Sequence, residues 1–517
     1  MASSSPAINE TKDIRKIVVA SSVGNIIEWY DFYIYGSMAT VIAGQFYPQS
    51  HPTAALLATL ATFAAGFFVR PFGALVFGRL GDLIDRKYTF LLPLIVMGGS
   101  TFAIGLIPGY AHIGFVAPLL ILLLRLLQGL ALGGGSGGAA TYVAGHAPDR
   151  RRGFYTSWMQ AMGTVGLFAG LGVILLVRRG LDSDTARSVE KFNAWGWRIP
   201  FLFSIILLAI SVYIRLKMQE SPLFQRLKSG DTPSAKPVTG RFGRKTNWKI
   251  VFLALFGVTM GQGVVCYAGQ FYAQSFLETV SKIDFDQSKT MLLLAILPAA
   301  PFLVVFGGWS DRVGRKWIIM AGMLLAVLTY PFLFRQLLTI PGTEGRTALA
   351  AQKEIISSLT FIDKSKDIIH TSNTISHYEG GLTVTETAKD TIYASGKIPT
   401  TKPLITSSRT VSGADYWKIV GILFLMVFYV TMVFGPGAAL LMELFPARIR
   451  HPSMSLSDHI GNGIIGGMTP FVATLLTAIY IGHPLAGLWY PVGVAAVCVI
   501  IGVLFIPNRS PNGEFDS

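Results

Sequence analysis

The chain has 517 residues, 51% of them hydrophobic and only 14% charged, with a mean hydropathy of +0.52. Soluble proteins carry about a quarter of their residues charged, so a soluble fold is excluded; the apolar residues also fall into runs of about 20, the span of a bilayer by a helix. Forty-three Lys and Arg against 28 Asp and Glu give +15, but the basic residues gather between apolar runs, as in Arg150-Arg151-Arg152 and from Arg215 to Lys249. That pattern marks cytoplasmic loops of membrane proteins, so the charge speaks for topology and no nucleic-acid partner is expected.

In chain order, spans are predicted over 16-43, 54-79, 88-108, 115-146, 152-178 and 197-218, then 249-278, 287-309, 316-339, 416-442, 454-480 and 485-506. The short polar N-terminus shows no cleavable signal pattern, so the first run is expected to stay. The loops near Arg86, Arg150, Arg226, Arg315 and Arg448 contain Lys or Arg, whereas those near Pro48, Gly109 and Gly482 contain none. Both termini are therefore expected on the cytoplasmic side. Loop 179-196 breaks the trend, with Arg178, Arg179, Arg187 and Lys191 in or beside it.

Two segments are not expected in the membrane. Residues 219-248 hold Pro222, Pro233 and Pro237 among Lys, Arg, Ser and Gly and read as a cytoplasmic linker. Residues 340-415 form a polar insert, outside by the same loop count. Its period-two stretches, such as Leu382-Thr383-Val384-Thr385-Glu386-Thr387, fit a small β-rich subdomain; its few large apolar residues fit disorder equally. The motifs below all lie outside it, so transport is expected to survive its removal.

Gly78, Asp82, Arg86 and Lys87 recur at the same offsets as Gly307, Asp311, Arg315 and Lys316, each set joining the second and third helices of a six-helix group. Two such groups in one orientation are a repeat pattern of secondary transporters. The expected organisation is a first half over 1-218, the linker 219-248, and a second half over 249-517 that carries the insert. Opposite charges at these helix ends could latch one arrangement and release another, so all eight residues are gating candidates. Positive-inside anchoring explains the basic residues but not the Asp in both halves.

Ionisable residues inside a span cost about 2.5 to 3.5 kcal/mol at the helix centre and need a partner or a cavity. Gly24, Glu28, Asp31 and Tyr35 share one helix face. Glu28 and Asp31 could share a proton as a carrier, or could hold the first helix to its neighbours. Arg125 and Gln128 face them from the fourth span, with Ser136 further along. The guanidinium could grip a substrate carboxylate bidentately or pair with Asp31. Arg70 precedes Pro71 and serves either a kink or substrate attraction. Tyr267, Gln270 and Gln274 recur at i, i+3 and i+7, with Glu278 beyond, as a cavity wall or an inter-helix seam. Asp458, His459 and Asn462 open the eleventh span, where simple solvation is the expectation for the His. Trp29, Tyr30 and Tyr33 are expected in packing or at the interface.

Cys266 and Cys498 each lie within an apolar run, which argues against a disulfide or a metal site. There is no P-loop, zinc spacing, nucleophile elbow or dinucleotide fingerprint; neither an enzyme nor a cofactor or metal is expected. The run Gly133 to Gly138 suits close helix packing better than phosphate binding.

The paired loops resemble the G-x-x-x-D-x-x-G-R-K signature of the major facilitator superfamily. Gly24-Asn25, Glu28-Trp29-Tyr30-Asp31, Arg70-Pro71, Arg125 with Gln128-Gly129, Trp197-Arg198-Ile199-Pro200 and Glu443-Leu444-Phe445-Pro446-Ala447-Arg448 resemble its metabolite:proton symporter branch. The resemblance covers nearly all of the chain except the insert. It implies an all-α membrane protein of twelve transmembrane helices, alternating access, and proton-driven import of an organic acid or zwitterion across a bacterial inner membrane. Within that reading Glu28 and Asp31 are the proton-coupling candidates, and Arg125, Gln128, Tyr35, Arg70, Tyr267, Gln270 and Gln274 the substrate-binding candidates. The chain departs from the family at Gly135, where the fourth helix usually has Glu, at Gly145, and at Asp85 in the first signature. A facilitator or exporter of the same fold, and a non-transporting membrane sensor using the insert, are the alternatives.

Overall fold

In a bilayer no water satisfies exposed N–H and C=O groups, so apolar runs must bond internally as helices. The computed structural model describes residues 10–83, 86–146, 151–217, 245–349, 354–361, 368–392, 404–445 and 450–507. Twelve helical passes result. In the first half they are α1 (Glu10–Ser37, continued by Ala39–Phe46), α2 (Pro52–Phe68 and Arg70–Leu83), α3 (Arg86–Leu106), α4 (Val116–His146), α5 (Arg152–Gly180) and α6 (Arg198–Lys217). In the second half they are α7 (residues 245–279), α8 (Phe285–Val313), α9 (Arg315–Thr339), α10 (Gly413–Phe434 and Gly437–Leu444), α11 (residues 450–479) and α12 (Trp489–Phe505).

Among the described residues, nine helices are long and apolar enough to cross a membrane, and ten if the bent pair Arg187–Gly196 and Arg198–Tyr213 counts as one. The remaining two, α1 with 28 residues and α3 with 21, are long enough to cross a core of about 30 Å at about 1.5 Å per residue. Exposed Trp195, Trp417, Tyr480 and Trp489 lie near one set of helix ends, and Trp248, Trp309 and Trp317 near the other, as interfacial aromatics do. The two ends are called here the insert side and the signature side.

The α2 break falls at Val69, just before Pro71, because proline cannot donate to the carbonyl four residues back and its ring crowds that carbonyl. α7 contains π turns at Leu255–Thr259 and Ala268–Tyr272, and α11 one at His459–Gly466. Such turns shift the facing of every residue beyond them and recur at functional sites. Glycine sets the α2–α4 distance: a Cβ on Gly129 would lie 1.8 Å from the Gly66 carbonyl oxygen, and one on Gly133 2.0 Å from that of Arg70. This is close small-residue packing.

The insert contains four antiparallel strands in the order β1-β2-β3-β4: β1 Glu354–Phe361, β2 Ile368–Tyr378, β3 Leu382–Ile392 and β4 Leu404–Thr410. Gly380 and Gly381, at φ +80° and +78°, make the turn between β2 and β3 in a region that side chains disfavour. Residues 218–244, most of the expected linker 219–248, and the signature-loop residues Ile84 and Asp85 lie outside the described residues, as do the surroundings of Gly78 and Gly135 and the side chains of Asp82, Arg86, Lys87 and Ser136; the linker's last four residues, 245–248, already belong to α7.

Candidate functional site

The two halves enclose a cavity of about 100 Å³, lined from the first half by Glu28, Trp29, Tyr33 and Arg70 and from the second by Tyr267, Gln270, Asp458 and Asn462. Three ionisable residues of opposite sign thus face one space from both halves. The Arg70 guanidinium lies over the rings of Phe67, 4.2 Å, and Phe32, 4.9 Å. Its electrostatic neighbours are Tyr267, Asp458 and Tyr33. Its Nε and Nη2 are buried without a hydrogen-bond partner among the described residues, so Arg70 has donors to spare for a carboxylate. It sits at the α2 break and on the cavity wall together, so the kink and attraction readings are not exclusive.

Toward the insert side an aromatic layer closes the cavity. Tyr33 and Phe271 lie 5.0 Å apart, Phe67 and Tyr267 5.5 Å, and Phe63 and Phe271 5.7 Å, each pair joining the two halves in the offset or edge geometry that aromatic rings favour. Tyr30 turns away and donates to the Pro200 carbonyl, a packing role, whereas Trp29 and Tyr33 reach the cavity itself.

Asp31, 2% exposed, and Arg125, 1% exposed, lie one layer behind the wall. Asp31 has Arg125 and Glu28 as charged neighbours and the Thr101 side chain beside it; Thr101 Oγ1 donates to Met97 O at 3.1 Å and accepts from Gln128 Nε2 at 2.7 Å. The Arg125 guanidinium stacks 3.5 Å from the Tyr35 ring centroid. The structure therefore gathers Asp31, Arg125, Gln128 and Tyr35 into one cluster inside the first half, with Glu28 as its cavity-facing member. Arg125, Gln128 and Tyr35 do not line the cavity. Thr101 leaves no trace in the sequence pattern because a hydroxyl inside a span usually bonds its own helix, as Thr101 does to the Met97 carbonyl.

The stripe on α7 divides. Tyr267 and Gln270 line the cavity, but Gln274 lies beyond the second π turn and donates to Ser37 O and to Glu278. A uniform spacing of about 3.6 residues per turn does not hold across that turn. On α11, Asn462 donates to Asp458 at 2.6 Å. His459 is 2% exposed, so its expected solvation fails: the glycine-lined π turn draws the helix against α7, where a Cβ on Gly461 would strike Thr259.

The halves also touch at both ends of the path. On the signature side, Asp311 accepts from the backbone N–H of Gly153 at 2.8 Å and of Phe154 at 3.0 Å, at the start of α5, where a helix dipole favours an anion. Arg315 donates to Asp311, pairs closely with Glu443, and reaches the Ala439 carbonyl. Lys316 caps the Val503 and Ile506 carbonyls. Gly307 lets α8 approach α5, since a Cβ there would lie 2.4 Å from Ser157 Oγ.

On the insert side, Arg178 pairs with Asp286 at 2.7 Å, Arg179 donates to Thr290, and Thr40 donates to Glu278. Lys289, fully buried, holds Glu278 at 2.5 Å. Arg178 looked from sequence like an exception to the orientation rule; the fold uses it in an ion pair between the halves. Lys289 was passed over because a Lys at a span's edge normally reaches out to solvent. Asp182, half-buried in the neighbouring loop, has its carboxyl held down to about 2, chiefly by the Lys191 ammonium and the Asp184 N–H.

A family model described as sugar (and other) transporter matches residues 16–249. The chain is 36% identical to a proline/betaine transporter of Salmonella typhimurium over 62% of its own length and 64% of the relative's, less than two thirds of that protein. It is 36% identical to an inner membrane metabolite transport protein of Escherichia coli over 62% of itself and 72% of the relative, and 28% identical to a citrate-proton symporter of Klebsiella pneumoniae over 94% and 90%. The fold is similar to that of a D-xylose-proton symporter, with a TM-score of 0.63 at 15% identity, covering 97% of this chain and all of that one. With twelve helices in two halves about a charged central cavity, the chain belongs to the major facilitator superfamily of membrane transporters, in the branch of metabolite transporters that these relatives represent.

Proposed function

We propose that the protein imports a small organic acid or zwitterion together with protons across a bacterial inner membrane by alternating access, with both termini and the signature side cytoplasmic and the insert periplasmic. The mixed-charge cavity carries the reading. Arg70 offers donors to a substrate carboxylate, while Glu28, Asp458 and the faces of Trp29, Tyr33 and Tyr267 suit a cationic group, so a zwitterion uses both. The names of the relatives span both substrate classes. The cavity volume, several times what one water needs, favours a solute of few heavy atoms. Glu28 and Asp31 are the proton-coupling pair, the four second-half signature residues act in the cytoplasmic gate, and Arg125, Gln128 and Tyr35 hold Asp31 from behind.

Purified protein in liposomes tests this with proline, glycine betaine, citrate and 2-oxoglutarate, with and without an imposed pH gradient. Accumulation of one solute that collapses with the gradient is the expected result. Downhill flux that ignores the gradient would replace symport by facilitation, and no flux of any solute would leave the sensor alternative.

A further inference from the structure

The insert is bonded to the segment that closes the insert side. Among the described residues, the hydrogen bonds and the ion pair that the second half makes to the first there come from residues 274–290: Gln274 to Ser37, Glu278 to Thr40, Asp286 to Arg178 and Thr290 to Arg179. The end of the insert bonds the middle of that same stretch. Asp284 N donates to Arg409 O at 2.9 Å and Arg409 N to Lys282 O at 2.7 Å. Gln287 holds the Val411 backbone twice, donating from Nε2 to its carbonyl at 2.7 Å and accepting its N–H at 2.9 Å.

Two further observations show that this root is firm. Lys282 has φ +60°, a left-handed conformation that a side-chain-bearing residue keeps only where surrounding bonds enforce it, and its carbonyl is the one that Arg409 grips. The insert's two ends are clasped together: Arg346 donates to Ile340 O and to Asp415, and Arg409 to Pro341 O. Tyr416, just past the root, lines the vestibule of about 510 Å³ that also holds Arg178, Asp286 and Thr290.

We propose that the insert is a positioning element of the outer gate: through Gln287 and the Lys282–Asp284 backbone it fixes the turn from α7 to α8, and with it Glu278, Asp286 and Lys289, in the closed geometry. Gln287 acts through Asp286 and touches no substrate. The proposal rests on the alternating-access reading but is tested without transport.

A Ser37→Cys reporter, buried behind the closure in a chain whose own two cysteines are buried, is labelled with a membrane-impermeant maleimide from the insert side. Gln287→Ala removes two hydrogen bonds, and labelling of the reporter is expected to quicken about five- to thirtyfold. Replacing 346–411 with a short Gly-Ser linker should match or exceed that effect. Gln287→Glu keeps the acceptor and loses the donor, so an intermediate rate is expected, a grading that mere loosening of the bundle does not give. A Gln287→Ala rate within twofold of the parent overturns the proposal, whether or not the linker variant folds. Absence of proton-driven uptake in the parent would remove the transport reading and leave the labelling result standing.

Discussion

Asp31 is buried between groups that treat its charge differently: Arg125 attracts the anion, while Glu28 opposes a second negative charge. Asp31→Asn preserves shape, exchanges one acceptor oxygen for an NH2 donor, and cannot cycle a proton. The expected result is loss of gradient-driven accumulation with solute exchange retained, read in liposomes; full accumulation by that variant sinks the carrier role. Two arginines should separate by assay. Arg70→Lys, on the cavity wall, loses the bidentate fork and should weaken substrate binding about tenfold or more. Arg125→Lys, stacked on Tyr35 behind the wall, should lower the thermal midpoint with a smaller effect on affinity. Asp182 supplies a negative control for pH. Its folded value is depressed to about 2, so its contact with Lys191 is complete at neutral pH and is lost only as pH falls toward 2. Asp182→Asn should therefore leave the pH profile of uptake between about 5 and 8 unchanged.

At the scale of elements, the α2–α4 seam is the least forgiving contact. A Cβ on Gly129 has nowhere to go but into the Gly66 carbonyl, and that carbonyl is backbone, so the helices themselves must part. Gly129→Ala should destabilise the first half by about 1–3 kcal/mol, the scale of overpacking, seen as a lower thermal midpoint, whereas Gly172→Ala, with open space around it, should be neutral. Hydropathy and loop charge made the helices legible, because apolar length and interfacial charge answer to the bilayer one residue at a time. The π turns were not legible: nothing in Ala268–Tyr272 announces an extra residue in the turn, so helical spacing alone places Gln274 on the cavity stripe. The strands of the insert were half legible, since alternation marked Leu382 to Thr387 but gave no hint that Arg409 and Val411 would bond back to the α7–α8 turn. A partner supplied by distant backbone leaves no local trace in composition or period.

For the whole molecule, the consequence lies in one pair of helices. α5 and α8 run antiparallel and are pinned at both ends, Arg178 to Asp286 on the insert side and the Gly153 and Phe154 amides to Asp311 on the signature side. The pair therefore works as a balance beam, with each pin a weight on one arm, and the position of the beam is an equilibrium that depends on the difference between the two weights. Asp286→Asn should tip the population toward opening at the insert side and Asp311→Asn toward the signature side, each read by cysteine accessibility from the matching face. Removing both weights should return the partition between the two openings close to the parent's, while the state closed at both ends becomes rarer. The pins lie farther apart than the range within which effects usually couple, so their contributions should combine nearly additively. A double variant that stays tipped as far as either single one would mean that the arms are not joined, and that the two halves do not rock as rigid bodies about α5 and α8.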